Sequence, residues 1–201
     1  ARASTALLPA ILELMAQAGL VLSQLDAIAF GCGPGSFTGL RTACSVAQGL
    51  AFGTQARRAE GVPLLPVDTL LAVAEQARAD HGASRIVAAL DARMAEVYTG
   101  CYAHVDGLWQ RDGDFALLAP EAVQVPEGWA LAGNAGAVYG ARLAGAPGMA
   151  ALPTALAMLR LAPQLLDAGE AVPAHLALPR YIRDKVAKTT AERMAERAAA
   201  P

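Results

Sequence analysis

The chain has 201 residues, 55% hydrophobic and 17% charged, which excludes a disordered polymer and supplies enough apolar surface for one good core or two small lobes. No apolar run approaches the roughly 18 residues a membrane-spanning helix needs, so a soluble protein of the cytoplasm is expected. A formal net charge of −2 provides no general field for holding nucleic acid, and any RNA contact must be local or made by a partner.

From Thr5 to Ala18 the apolar residues Leu7, Leu8, Ile11, Leu12 and Met15 recur at three- and four-residue spacing, which predicts a helix with Pro9 in its first turn and Gly19 as its C-cap. An apolar run from Ala27 to Phe30 then leads into Gly31-Cys32-Gly33-Pro34-Gly35-Ser36-Phe37-Thr38-Gly39-Leu40-Arg41, and a helical pattern continues from Leu40 to Gly53. The reading is strand, glycine-rich turn, helix. The glycines permit close approach of another backbone or a ligand, Pro34 stiffens the turn, and Ser36 or Thr38 can cap the helix. The helix start would accept an anion, yet the run is neither GxxxxGK[ST] nor GxGxxG with an acidic residue about 20 positions on, so a phosphate cradle is permitted but not required. The helix presents Leu40, Ala43, Cys44, Ala47, Leu50 and Ala51, a stripe of mostly small groups that lets another helix come close, inside the lobe or across a subunit boundary.

In Val62–Val67 two prolines bar a central strand and predict an edge strand or an extended connection. Asp68 or Thr69 should cap a helix running to about Asp80, closed by His81-Gly82. The lobe boundary is placed there: 1–83 as an N-terminal lobe, 84–178 as a C-terminal lobe and 179–201 as a basic tail. Ile86–Leu90 and Val97–Tyr102 read as strands joined through Asp91-Ala92-Arg93-Met94-Ala95-Glu96, where Asp91, Arg93 and Glu96 fit a hairpin with a surface ion pair. Asp106-Gly107 and Asp112-Gly113 mark surface turns, with Trp109 and Phe115 flanking a strand pair over them. Trp129–Ala132 feeds a second glycine-rich strand-to-helix turn, Gly133-Asn134-Ala135-Gly136, read as an ordinary turn. A helix from Thr154 to Ala168 should kink at Pro163. Beyond Pro173 the basic residues Arg180, Arg183, Lys185, Lys188, Arg193 and Arg197 outnumber Asp184, Glu192 and Glu196, and Thr189 with Glu192 resembles a capping box. Such an end is a solvated tail, or a contact for tRNA phosphate or an acidic partner face.

Little in the chain points to chemistry. Cys32, Cys44 and Cys101 are odd in number, far apart and without CxxC spacing, which fits neither a disulfide framework nor a zinc site and predicts buried or half-buried thiols. His81, His104 and His175 form no HxxxH or HExxH pair, so no metal site is predicted. Ser36 lies outside any GxSxG elbow and has no histidine placed to activate it.

The segment Gly33 to Arg41, with Ala47-Gln48-Gly49-Leu50-Ala51 behind it, resembles the signature of the TsaB (YeaZ) family of bacterial tRNA threonylcarbamoyladenosine biosynthesis proteins, in the glycoprotease-like M22 group. Further matches follow in the family's order: Val67-Asp68-Thr69-Leu70, Leu90 to Tyr98, Gly133 to Gly136, and Pro179-Arg180-Tyr181-Ile182-Arg183. The resemblance spans nearly the whole chain. It implies an α/β fold of the actin/Hsp70-like (ASKHA) ATPase type with two similar lobes. It also implies a non-catalytic partner of the related subunit TsaD in threonylcarbamoylation of adenosine 37 of ANN-decoding tRNAs, with TsaE in a larger complex and tRNA reached indirectly. The first two helices, through Leu8, Leu12, Met15, Ala43, Ala47 and Leu50, would meet TsaD or a second copy of the chain in a four-helix contact. Gly33, Pro34, Gly35, Ser36, Phe37, Thr38, Gly39 and Arg41 remain an interaction or anion loop.

The catalytic relatives hold their metal with an HxxxH pair that is absent here. Metal and ATP are therefore assigned to TsaD, no cofactor is assigned to this chain, and ATP or ADP at a subunit junction is left open. In ATPases of the superfamily the hairpin corresponding to 91–96 couples its aspartate to glycines whose N–H groups reach a phosphate; here Arg93 and Met94 stand in those places and argue against ATP hydrolysis. Family members carry a strand, a hairpin and a further strand ahead of the point where this chain begins, so that segment is expected to be missing, and 145–153 is shorter than the family pattern. The competing reading is a stand-alone M22-type peptidase or a weak ATPase.

Overall fold

The structure, a computed structural model, describes residues 3–143 and 148–183. The predicted capping box at Thr189 and the basic residues from Lys185 onward lie outside them. The elements are α1 (Ala3–Gln17), β1 (Ile28–Gly33), α2 (Phe37–Gly53), β2 (Leu64–Asp68), α3 (Thr69–His81), β3 (Arg85–Arg93), β4 (Glu96–Val105), β5 (Leu108–Leu118), β6 (Ala130–Gly133), α4 (Ala135–Tyr139) and α5 (Ala155–Asp167).

Two sheets result. In the first, β1 and β2 run parallel with α2 as the crossover, and Pro66 sits opposite Phe30. Pro66 of β2 stands in the ladder with β1, and beyond it the described chain adds only the single Leu64–Val172 bridge, so the proline is carried as an edge strand can carry it. The second sheet has the order β5-β4-β3-β6, antiparallel except where β3 lies parallel to β6. The chain then returns: α5 packs on β1, β2 and α3, and Val172 exchanges backbone bonds with Leu64, so residues 84–178 are distributed over both sheets.

The alternation of side chains along each strand sorts the core into layers. Ile86, Ala88 and Leu90 of β3 join Leu65 and Val67 of β2 around α3, while Val87 and Ala89 face the other way, toward Leu131, Val123 and Ala135. Phe30, Cys32 and Leu64 meet Cys44, Ala47 and Ala51 of α2 in a third cluster. Helix α3 is enclosed on nearly all sides, with Leu70, Ala72, Val73, Ala74, Glu75 and Ala77 buried. Its small side chains allow that enclosure. Asp68 caps it, accepting from the Leu70 N–H at 2.9 Å, and Gly82 closes it in the left-handed region.

Two carboxylates of the β2–α3 segment, half-buried Asp68 and buried Glu75, are each answered from the second sheet. The Tyr102 hydroxyl of β4 donates to the Asp68 carboxylate. On β5 the Trp109 indole donates to Glu75 at 2.9 Å, and Arg78 forks onto the same carboxylate at 2.8 and 2.9 Å. Burial lifts Asp68 above the ordinary aspartate value against the pull of Tyr102 and the α3 backbone. At Glu75 burial pulls upward too, but the bonds from Arg78 and Trp109 outweigh it and leave the carboxyl lowered.

Several local expectations are corrected. Helix α1 begins at Ala3, so Pro9 sits well inside it and not in its first turn. Asp106-Gly107 is the β4–β5 turn, but Asp112-Gly113 lies within β5, at an irregularity where Cys101 pairs with Asp112 and Thr99 with Ala116. Trp109 and Phe115 therefore lie on one strand.

Two predictions follow from this packing. Gly133 has a φ of 135°, and a Cβ there would collide with the Ala89 carbonyl of the neighbouring strand; Gly133→Ala should cost on the order of 3 kcal/mol in urea unfolding. Because the native Glu75 carboxyl binds its proton less readily than the unfolded one, its contribution is full above the ordinary glutamate value of 4.5 and is lost as pH falls through the lowered native value. Glu75→Gln should cost about 1 to 2 kcal/mol at neutral pH and flatten the acid-side loss in denaturation midpoints followed against pH.

Candidate functional site

Four of the sequence motifs converge on one cleft of about 410 Å³ between the sheets. Its walls are the glycine-rich loop with the start of α2, the β3–β4 turn, Asn134 after β6, and residues 180–183 returning from α5.

The loop is built as its residues dictate. The Gly33-Pro34 peptide is cis. Ser36 is the N-cap of α2, its hydroxyl accepting from the Gly39 N–H at 3.2 Å, so the helix starts at Phe37, three residues ahead of the predicted Leu40. The glycines are accounted for within the chain. A Cβ on Gly33 would strike the Arg180 carbonyl, one on Gly39 would lie 2.6 Å from the Ser36 hydroxyl, and one on Gly35 would press Leu40 at 3.3 Å. Close approach is required at Gly33, and the approaching backbone is the protein's own. Thr38 and Arg41 are exposed; the Arg41 guanidinium lies 3.8 Å from the centre of the Phe37 ring and donates through Nε to the Tyr181 hydroxyl at 3.0 Å.

The opposite wall is the β3–β4 turn. Arg93, Met94 and Ala95 all have positive φ, at 65°, 56° and 56°, so side chains occupy a backbone path that favours glycine. Asp91 is held in place: its carboxylate accepts from the Arg93 N–H at 2.8 Å and from the Tyr139 hydroxyl at 2.7 Å, while its own N–H donates to Asn134 at 2.8 Å. The bond to Asp91 raises Tyr139 above the ordinary tyrosine range. The expected ion pair within the hairpin is replaced by a longer-range one, in which Glu96 pairs with Arg183 and Arg93 joins no ion pair among the described residues. No local sequence pattern marks Tyr139 as a partner of Asp91, and for Asn134 the signal is an asparagine directly after a glycine-ended strand.

Reactive groups are not gathered here. None of the three histidines lines the cleft, and His104 meets Trp109 edge to face with ring centres 5.0 Å apart. Burial raises all three thiols; Cys32, enclosed in the first sheet, reaches about 11, so it is a thiol at neutral pH. Among the described residues no three His, Cys, Asp or Glu side chains cluster as metal ligands. No helix among them is long and apolar enough to cross a membrane.

The six residues expected at a partner interface divide in two. Ala47 and Leu50 of α2 are buried in the chain's own core, and Ala43 is half-buried, so the small-residue stripe packs inward. On α1, Leu8 and Leu12 are exposed and Met15 half-buried. None of the described α1 side chains is buried, and Leu14 with Phe52 at the end of α2 is 64% exposed.

Residues 2–124 match the family model described as TsaD: tRNA N6-adenosine threonylcarbamoyltransferase. The chain is 36% identical to the tRNA threonylcarbamoyladenosine biosynthesis protein TsaB of Escherichia coli (strain K12) over 194 residues, covering 90% of this chain and 80% of that one. A TsaB of Haemophilus influenzae is 51% identical over 92 residues, covering 46% of this chain and 36% of that one. Among solved structures, YeaZ from Pseudomonas aeruginosa superposes with a TM-score of 0.79 at 42% identity, covering 89% of this chain and 84% of that one. A protein from the same organism, described as similar to peptidase YEAZ, gives a TM-score of 0.79 at 43% identity, with 88% and 82% covered. The architecture is accordingly the α/β, actin/Hsp70-like fold. With 123 residues inside the threonylcarbamoyltransferase family model and four-fifths of a TsaB spanned, the chain belongs to the TsaB (YeaZ) family.

Proposed function

We propose that this chain serves tRNA threonylcarbamoyladenosine biosynthesis in the cytoplasm as a non-catalytic partner of TsaD, supporting threonylcarbamoylation of adenosine 37. Metal and ATP chemistry belong to TsaD, TsaE joins the larger assembly, tRNA is reached through the complex, and any ATP or ADP lies at a subunit junction. The observation that carries the reading is α1, an apolar helix that leaves Leu8 and Leu12, one turn apart on the same face, in solvent. An exposed apolar face of this kind fits a partner helix surface. A second copy of the chain is the other occupant of the same face.

The cleft supports the same division of labour. The Asp91 carboxylate is engaged by Arg93 and Tyr139, the Ser36 hydroxyl by the Gly39 N–H, and the turn that would face a phosphate carries an arginine and a methionine. The alternative, a peptidase, draws on the description of a structural neighbour as similar to peptidase YEAZ. It lacks a base beside Ser36, since no histidine lines the cleft.

The isolated chain should neither hydrolyse ATP nor cleave protein above background. Leu12→Glu places a charge on the exposed face and should weaken assembly with TsaD by about tenfold or more in sedimentation, with the melting temperature of the isolated chain nearly unchanged. Ala47→Glu should instead lower that melting temperature, because Ala47 is buried in the chain itself. Unaltered assembly of Leu12→Glu would remove α1 from the interface.

A further inference from the structure

Residues 180–183 cross the mouth of the cleft and bond to both of its walls. On one side the Arg180 N–H donates to the Cys32 carbonyl at 2.7 Å, against the end of β1, and Gly33 makes room for the Arg180 carbonyl. The Tyr181 ring packs 5.4 Å from that of Phe37, and its hydroxyl takes the bond from Arg41. On the other side Arg183 donates to the carbonyls of Ala92 and Arg93 at 3.0 and 3.4 Å, pairs with Glu96, and reaches the Met94 sulfur at 3.6 Å. The Arg183 side chain is only 14% exposed.

The turn that Arg183 grips is the one with three consecutive left-handed residues, none of them glycine. Backbone of that kind persists where surrounding contacts fix it. The guanidinium serves the turn through two nitrogens, Nη2 toward the two carbonyls and the Glu96 carboxylate and Nη1 toward the Met94 sulfur, a planar fork that the single nitrogen of an ammonium does not reproduce.

The geometry points to a latch: residues 180–183 set the opening between the two sheets by tying the β3–β4 turn to the glycine-rich loop. The tie is covalent chain, so the two walls are coupled without anything bound between them. Loosening either end of the segment therefore loosens both walls. Two unrelated sets of contacts would not behave so.

Amide hydrogen exchange on the full chain separates the cases. Arg183→Ala should speed exchange at 91–97 by about tenfold, as loss of charged hydrogen bonds from a local opening unit implies, and should also speed it at 36–41, which Arg183 does not touch. Tyr181→Ala should speed exchange at 36–41 and, across the cleft, at 91–97. Arg183→Lys should recover part of the protection. Protection of Ala88 and Thr99, inside the β3–β4 ladder, should stay at the parent level and report that each variant is folded. Glu96→Gln, a milder change on a partly exposed side chain, should give the same two-walled response at smaller amplitude. A response confined to the wall each residue touches, or no response at either, overturns the latch.

Discussion

The structure depends on α3 being buried between two sheets while carrying polar groups at its start and along its length. A helix rich in alanine and leucine can be enclosed, but half-buried Asp68 at its cap and buried Glu75 on its second turn need polar partners there. Both answers come from the second sheet, from Tyr102 and Trp109. The consequence is directional: β4 and β5 must stand where those two donors reach α3, which fixes how the sheets are placed about the helix. Gln164 of α5 adds a further tie by bonding both backbone groups of Trp109, at 2.9 Å each.

Within that cleft, residue types that resemble a nucleotide site are turned to internal use. The first loop glycine admits the chain's own return segment, the serine caps a helix, and the hairpin aspartate organises its own turn and a tyrosine. The α1 surface shows the opposite balance. There apolar side chains have no cover inside the described chain, and the unmet burial is what a partner would satisfy. The polar cleft is closed on itself, and the apolar helix is left open.

Much of this was legible in the sequence where local rules dominate. The β1–loop–α2 unit, the Asp68 cap, the Gly82 stop and the Asp91 hairpin rest on spacing, capping and glycine conformation, and the structure has them. The small-residue stripe on α2 was visible too, but not its direction: Ala47 fits a tight internal contact as well as a subunit boundary, and only the position of β1 and the return segment decides. The long-range pairs were illegible for the same reason. Glu75 with Trp109, Asp91 with Tyr139 and Glu96 with Arg183 are far apart in the chain, and no local pattern marks them. Asp112-Gly113 misled because a strand irregularity and a turn use the same residues.

In the function we propose, this chain contributes a surface to a tRNA-modifying assembly and leaves the reaction to its partner. The most direct measurement is reconstitution with TsaD, TsaE, a supply of the activated threonylcarbamoyl group and tRNA, scoring modified adenosine with and without this chain. Modification that needs the chain, and that survives Asp91→Asn and Ser36→Ala in it, is the predicted result. Modification that proceeds equally well in its absence, or that is abolished by either of those cleft substitutions in a still-folded chain, would contradict the account.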